Sequence, residues 1–404
     1  MKKYLALAAA LFLSACATTP TDMSINQLTN QAQKGNAAAQ VELGKRYQSG
    51  DGVTASDSEA QQWFQQAAAQ QDAEGLYQLA LIEEPSPASF ANFQQAAELN
   101  HTQAQFKTGY YHTFAWLVNA PEDDAQARHW LSLAAKKNHA EAQNLLAWMH
   151  ERGYGGNQDA KAAFNLYVLA AENGSADAQA TLGNMYRNGQ GVSKNHERAI
   201  YWLNKAVANA ATAENQFSLG AAYFFAEGPE QDYAEAFKWF KQAADEGIQE
   251  AQFNVGLAYY KGQGTYKDTT AAARYYRLAA NQGMADAMLN LGILYYNGEG
   301  VSKNYSQAAS WLRKAAEQNN ADAQNRLGIF YANGHGVRQN FTTALEWFHK
   351  AAAQNHSAAL YNIGVRYYNG EGVAKNLRTA RSWFGKSCDS GMQEGCDQYR
   401  KLAP

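Results

Sequence analysis

From residue 37 onward, apolar residues recur at three- and four-residue spacing. That is the period of one helix face, not the two-residue alternation of a strand. Ala199/Trp202/Ala206, Ala308/Trp311/Ala315 and Ala344/Trp347/Ala351 display it. A longer period lies over this one. The string QATLGNMYRNGQGVSKN from Gln179 returns as MLNLGILYYNGEGVSKN from Met288, and again from Gln324 and Leu360. Equivalent anchors are Gln40, Leu76, Gln105, Gln143, Gln179, Gln216, Gln252, Met288, Gln324 and Leu360, mostly 36 residues apart. The second unit is short at 29 residues and the third long at 38.

Each unit predicts two helices. The first carries Leu-Gly and, four residues after the Leu, a Tyr (Leu182, Gly183, Tyr186; Leu291, Gly292, Tyr295). A glycine inside a helix costs up to about 1 kcal/mol against Ala, so its repetition marks a close approach. A Gly-x-Gly then ends the helix, as at Gly298/Gly300 and Gly334/Gly336, with one glycine expected in the left-handed C′ conformation. Sixteen residues after most anchors stands an N-cap residue type: Ser56, Asp159, Asn195, Asp232, Asp268, Asn304, Asn340 and Asn376, with Asp123 in the long third unit. The Ala/aromatic stripe of the second helix predicts core positions at Trp63, Trp130, Trp202, Trp239, Trp311, Trp347 and Trp383. Neither helix can bury its stripe alone, so the units must stack. The fold class expected is all-α, an α/α superhelical solenoid of about ten helix hairpins.

The pattern A-x-A-Q-x-x-L-G-x-x-Y-x-x-G-x-G-V, a cap, then A-x-x-W-x-x-x-A-A resembles the Sel1-like repeat, a relative of the tetratricopeptide repeat. It covers roughly residues 37–392. The resemblance implies a scaffold or adaptor that binds protein or peptide segments, with structural repeat residues and no catalytic set. Units two and three depart from it. Pro85-Ser86-Pro87 replaces Gly-x-Gly and Ala80 the glycine, and Phe114–Val118 occupies a loop position. That last stretch is either a lengthened helix or a protruding apolar loop.

The N-terminus has a basic start (Lys2, Lys3), an apolar run from Leu5 to Leu13 and small residues before Cys16. The run is too short for a membrane anchor. Leu13-Ser14-Ala15-Cys16 closely resembles the lipobox of bacterial lipoproteins, which implies cleavage before Cys16 and acylation there. The domains expected are a signal peptide over 1–15, lipidated Cys16 with a polar tether to residue 36, the solenoid over 37–392 and a cap over 393–404. The location expected is the cell envelope, on the periplasmic side of the outer membrane, with the membrane touched only through the lipid. Cys388 and Cys396 lie eight apart, and a short turn between helices can bring their sulfurs together. The spacing resembles the bridge of the cysteine-rich Helicobacter Sel1-repeat proteins, which implies a disulfide; two buried thiols are the alternative.

The net charge is −3, and losing Lys2 and Lys3 makes it more negative. A mildly acidic body lacks the clustered cations that phosphate backbones need, so nucleic acid is not expected. No His-Glu-x-x-His occurs, and no Ser is followed at three residues by Lys. No cofactor, no metal and no catalytic residue is expected. The nine His, mostly in loops and at helix ends, read as solvated groups. Some relatives are reported to bind or slowly hydrolyse β-lactams, which makes a weak hydrolase one alternative and a host-interaction factor another.

Aligned with tetratricopeptide geometry, the positions one, five and eight residues after each anchor face a groove. In the later units they include Phe217 and Phe224; Phe253, Leu257 and Tyr260; Ile293 and Tyr296; Ile329; and Tyr361 and Tyr368. Such apolar residues on an exposed face mark a partner-binding surface. For the first residue of each set, burial between neighbouring helices is an equal alternative.

Overall fold

The computed structural model describes residues 19–115 and 123–402. Among these residues the secondary structure is helical throughout. The chain divides into two compact units, residues 1–182 and 183–404.

The first unit opens with α1 (Ile25–Gln33), followed by the hairpins α2 (Ala37–Ser49)/α3 (Asp57–Ala69) and α4 (Ala73–Glu83)/α5 (Pro87–Glu98). It continues with α6 (Thr102–Thr113)/α7 (Asp124–Ala135) and α8 (Ala140–Arg152)/α9 (Ala160–Glu172). The boundary falls inside α10 (Ala176–Asn188), whose hairpin partner is α11 (His196–Asn209). The second unit goes on with α12 (Ala213–Phe225)/α13 (Tyr233–Asp245) and α14 (Gln249–Lys261)/α15 (Thr269–Asn281). Then come α16 (Ala285–Asn297)/α17 (Tyr305–Glu317), α18 (Ala321–Asn333)/α19 (Phe341–Ala352) and α20 (Ser357–Asn369)/α21 (Leu377–Asp389). A last helix, α22 (Gln393–Lys401), packs on α21.

All nine expected N-caps work as such. Asn304, for instance, accepts from the Gln307 N–H at 2.9 Å, and Asp123 from Gln126 at 2.9 Å. Both glycines of Gly-x-Gly have positive φ (Gly298 +78°, Gly300 +67°). The first is the left-handed cap of α16; a Cβ on the second would fall on the Thr269 carbonyl at the start of the preceding hairpin's second helix. In the second hairpin Ser86 caps α5, with Pro87 at the first helical position.

The structure corrects three expectations. The tryptophans are not the core. Except for Trp130 they are half-buried and pack against the core from outside, with Lys314 4.2 Å from the Trp311 ring and Lys350 3.8 Å from that of Trp347. The buried residue is the one after the Trp: Phe64, Leu131, Leu203, Phe240, Leu312, Phe348 and Phe384, and Tyr276 where Tyr275, itself buried, takes the Trp position. Each lies on the repeat glycine of the same hairpin; Phe348 lies on Gly328 and Leu312 on Gly292. Residues 17–36 are not a tether throughout. Leu28 and Ala32 of α1 are fully buried against Ala39 and Leu43, and Ser24 with Gln27 closes a capping box. Three histidines are caps rather than solvated groups: the Nδ1 of His101, His139 and His356 accepts the N–H of Ala104, Ala142 and Ala359. A protonated Nδ1 cannot accept, so each cap requires a neutral nitrogen there. The Glu141 carboxylate 3.2 Å from His139 Nδ1 favours the charged ring, but burial outweighs it and lowers the His139 pKa.

Candidate interaction groove

In the second unit two adjoining clefts lie along the first helices α14, α16 and α18. One, of about 150 Å³, is walled by Leu257, Tyr260, Tyr276, Ile293 and Leu294, with Lys261 and Asn290 as polar members. The other, of about 380 Å³, is walled by Ile293, Tyr296, Leu312, Ile329 and Phe330, with Asn297 and Arg326 beside them. Ile293 lines both, which makes the apolar floor continuous across α14, α16 and α18.

Five of the ten sequence-derived contact residues therefore meet: Leu257, Tyr260, Ile293, Tyr296 and Ile329. Phe217, Phe253 and Tyr361 turn instead onto the second helix, their rings 5.6 Å from Phe240, 5.7 Å from Tyr276 and 5.3 Å from Phe384. Phe224 packs on Tyr233 and Phe240, while Tyr368 is exposed at the far end. Tyr296 is wedged among Tyr305, Phe330 and His335. Burial and the Glu299 carboxylate raise the Tyr260 pKa, and burial raises that of Tyr276, so both hydroxyls stay protonated as donors.

The groove readings missed the polar members. Asn290 and Arg326 stand two residues after their anchors, and Lys261 and Asn297 nine after theirs. The visible signal was the asparagine that returns at both offsets, as at Asn254, Asn362, Asn333 and Asn369.

Among the described residues no group of His, Cys, Asp and Glu could hold a metal ion, and no helix is long and apolar enough to cross a membrane. Cys16 lies outside the described residues. Cys388 and Cys396 are bonded to one another, their Cα atoms 4.5 Å apart. The stretch from residue 116 to 118 lies outside the described residues; Phe114, just after α6, rests on Tyr110.

The Sel1 repeat family model matches residues 37–72, 102–139, 140–175, 176–210, 214–248, 249–284, 285–320, 321–356 and 357–392. The chain belongs to the Sel1 repeat family. Its fold is the all-helical α/α solenoid of that family, of nine to ten repeats. The unmatched stretch between the first two matches is the short hairpin α4/α5. A crystal structure of a protective antigen present in uropathogenic Escherichia coli strains is 32% identical, with a TM-score of 0.85 over 94% of this chain and 82% of that one. A Sel1 repeat protein from Oxalobacter formigenes is 25% identical, with a TM-score of 0.62 over 81% of this chain and 93% of that one. Among curated proteins, one of Neisseria meningitidis serogroup B is 28% identical over 55% of this chain and 46% of its own length. The chitin synthase regulator SKT5 of Saccharomyces cerevisiae is 29% identical over 54% of this chain and 34% of its own. The matched part thus spans less than half the length of either curated relative. Sel1 repeats are generally protein-interaction scaffolds.

Proposed function

We propose that this chain is a lipid-tethered scaffold of the bacterial envelope that takes a segment of a partner protein into the groove of its second unit. The carrying observation is the shared Ile293: two apolar clefts join through one side chain, with amides and cations along their edges. A continuous apolar floor with a polar rim is the anatomy of a binding surface, and the Sel1 repeats supply the class. The tether rests on the likeness of Leu13–Cys16 to a lipobox.

Photocrosslinking from benzoylphenylalanine at position 296 tests the groove. A discrete adduct, lost when Ile293→Asp and Ile329→Asp are added, is the expected result; an adduct pattern indifferent to those changes overturns it. Palmitate labelling that disappears in Cys16→Ser tests the anchor. A host-interaction role is the second reading, favoured by the likeness to a protective antigen. Antibody access to the solenoid on intact cells supports it, and access only after lysis refutes it.

A further inference from the structure

Fifteen residues after the anchor, the loop between the two helices of a hairpin carries a residue that answers the one eight residues after the anchor. Where the earlier position is Tyr, the later one is Lys laid over its ring: Lys267 on Tyr260 at 5.7 Å, Lys303 on Tyr296 at 6.0 Å and Lys375 on Tyr368 at 5.7 Å. Where it is another uncharged residue in the second unit, the later one is Gln bonded to its carbonyl: Gln231 to Phe224 and Gln339 to Ala332. One hairpin breaks the rule. In α10/α11 the earlier position is Arg187 and the later one Lys194, so a cation faces not a ring but a second cation.

Both line a cavity of about 430 Å³ together with His196, and its other walls are Phe217, Ala221 and Phe225. Phe225 is 63% exposed. The Arg187 guanidinium donates to the Ser218 carbonyl at 3.4 Å and the Asn188 side chain at 3.3 Å. Among the described residues no carboxylate pairs with Arg187, Lys194 or His196, although exposed Glu227 also lines the cavity. The Nδ1 of His196 is buried without a hydrogen-bond partner. Burial lowers the Arg187 pKa, an uncompensated desolvation.

We infer that this cavity binds the terminal α-carboxylate of a protein segment whose last residue is apolar. The inference rests on the groove reading above and names which part of the partner is held there. Two cations and an imidazole supply charge-assisted donors for a carboxylate, while Phe217, Ala221 and Phe225 give its neighbour an apolar wall. In one small cavity the two features fit a carboxylate and side chain that share a Cα. An internal acidic residue fits less well, because along an extended strand adjacent side chains point to opposite faces.

Saturation-transfer NMR on the full chain with N-acetyl-leucine, N-acetyl-leucinamide and the α-amide of N-acetyl-glutamate tests this. The free acid is expected to bind about tenfold more tightly than the leucinamide, the equivalent of one lost charge-assisted bond. Arg187→Gln and Lys194→Gln should each remove most of that difference. Lys194 is exposed and Gln is what other hairpins carry there, so Lys194→Gln keeps the fold. Equal binding of acid and amide, or binding unchanged in both variants, overturns the inference. So does equal binding of the glutamate derivative, which would assign the cavity to internal acids. Capture from position 296 without any preference between acid and amide would sink this inference alone; loss of capture there would sink the groove reading.

Discussion

At the scale of single residues, the contact that organises each hairpin is a bare glycine against a large side chain. A Cβ on Gly328 would stand 2.5 Å from Phe348 Cε1 and 3.1 Å from the Ala344 carbonyl oxygen. The neighbour on one side is backbone, so the ring must give. Gly328→Ala is expected to cost about 1–3 kcal/mol by overpacking, and Phe348→Ala about 3–5 kcal/mol by cavity formation. The double variant should cost clearly less than the sum, because the truncated ring leaves room for the methyl. Urea denaturation of the four proteins checks this; strict additivity would mean that the glycine is not there for the ring. Trp347→Ala, taken beside them, should cost less than Phe348→Ala, since the indole is half-buried under Lys350. The second hairpin shows the same logic from the other side. There Ala80 stands in the glycine's place and packs with Phe93, in the hairpin whose connecting loop is shortest.

At the scale of helices, two side-chain devices fasten consecutive elements. The anchor glutamine is buried and bridges three of them. Gln324 donates to the Ala316 carbonyl at the end of α17 at 3.1 Å and accepts from Gln354 just after α19 at 3.0 Å. Gln324→Ala removes both bonds while each partner keeps Asn319, the Ala316 carbonyl through its N–H and Gln354 through its carbonyl and side chain, and is expected to cost about 0.5–1.5 kcal/mol. Gln324→Met should cost less, because Met288 occupies the anchor in α16, with Gln318 at 3.8 Å from its sulfur. Equal losses for Ala and Met would show that the hydrogen bonds alone, and not the bulk of the side chain, set the cost. The second device ties first helices together through an acid. Glu74 of α4 takes His101, the cap of α6, at 2.7 Å and Lys45 of α2 at 2.6 Å. The hydrogen bond from His101 leads, with Lys45 and Gln78 adding to it against burial, and the Glu74 pKa falls from 4.5 to about 2. The folded chain therefore binds fewer protons than the unfolded one between those values. This link is fully present above pH 4.5 and is lost as the pH falls toward 2. Glu74→Gln should lower stability at pH 7 and flatten its decline between pH 4.5 and 2, measured as urea midpoints across that range. A decline as steep as the parent's would place the acid sensitivity elsewhere.

At the scale of the whole chain, the helical pairing was legible in the sequence because each signal was local and repeated: a cap, a glycine, a three-to-four period. What was not legible depended on which of two adjacent bulky residues turned inward. Trp347 and Phe348 sit 100° apart on a helix, and the larger ring drew the core assignment although the glycine opposite accepts only the residue after it. For the same reason Phe253 and Tyr361, read as groove residues, close over the second helix, while Asn290 and Asn297 passed as spacers. The first helix α1 was hidden because Leu28 and Ala32 are too few to make a stripe by themselves. Stacked repeats take their stability from their neighbours, and α22 is weakly held: it packs on α21 and buries only Gly395. The Cys388–Cys396 bond closes a loop of about eight residues, and constraining so short a loop is worth about 2 kcal/mol. Reduction should therefore act locally. Hydrogen exchange followed by mass spectrometry is expected to show protection lost over Gln393–Lys401 and weakened in α21, with α16–α19 unchanged, and Cys388→Ser/Cys396→Ser should reproduce the pattern. A loss spread evenly through the second unit would mean that its repeats open as one body, and that the bond holds more than the end of the stack.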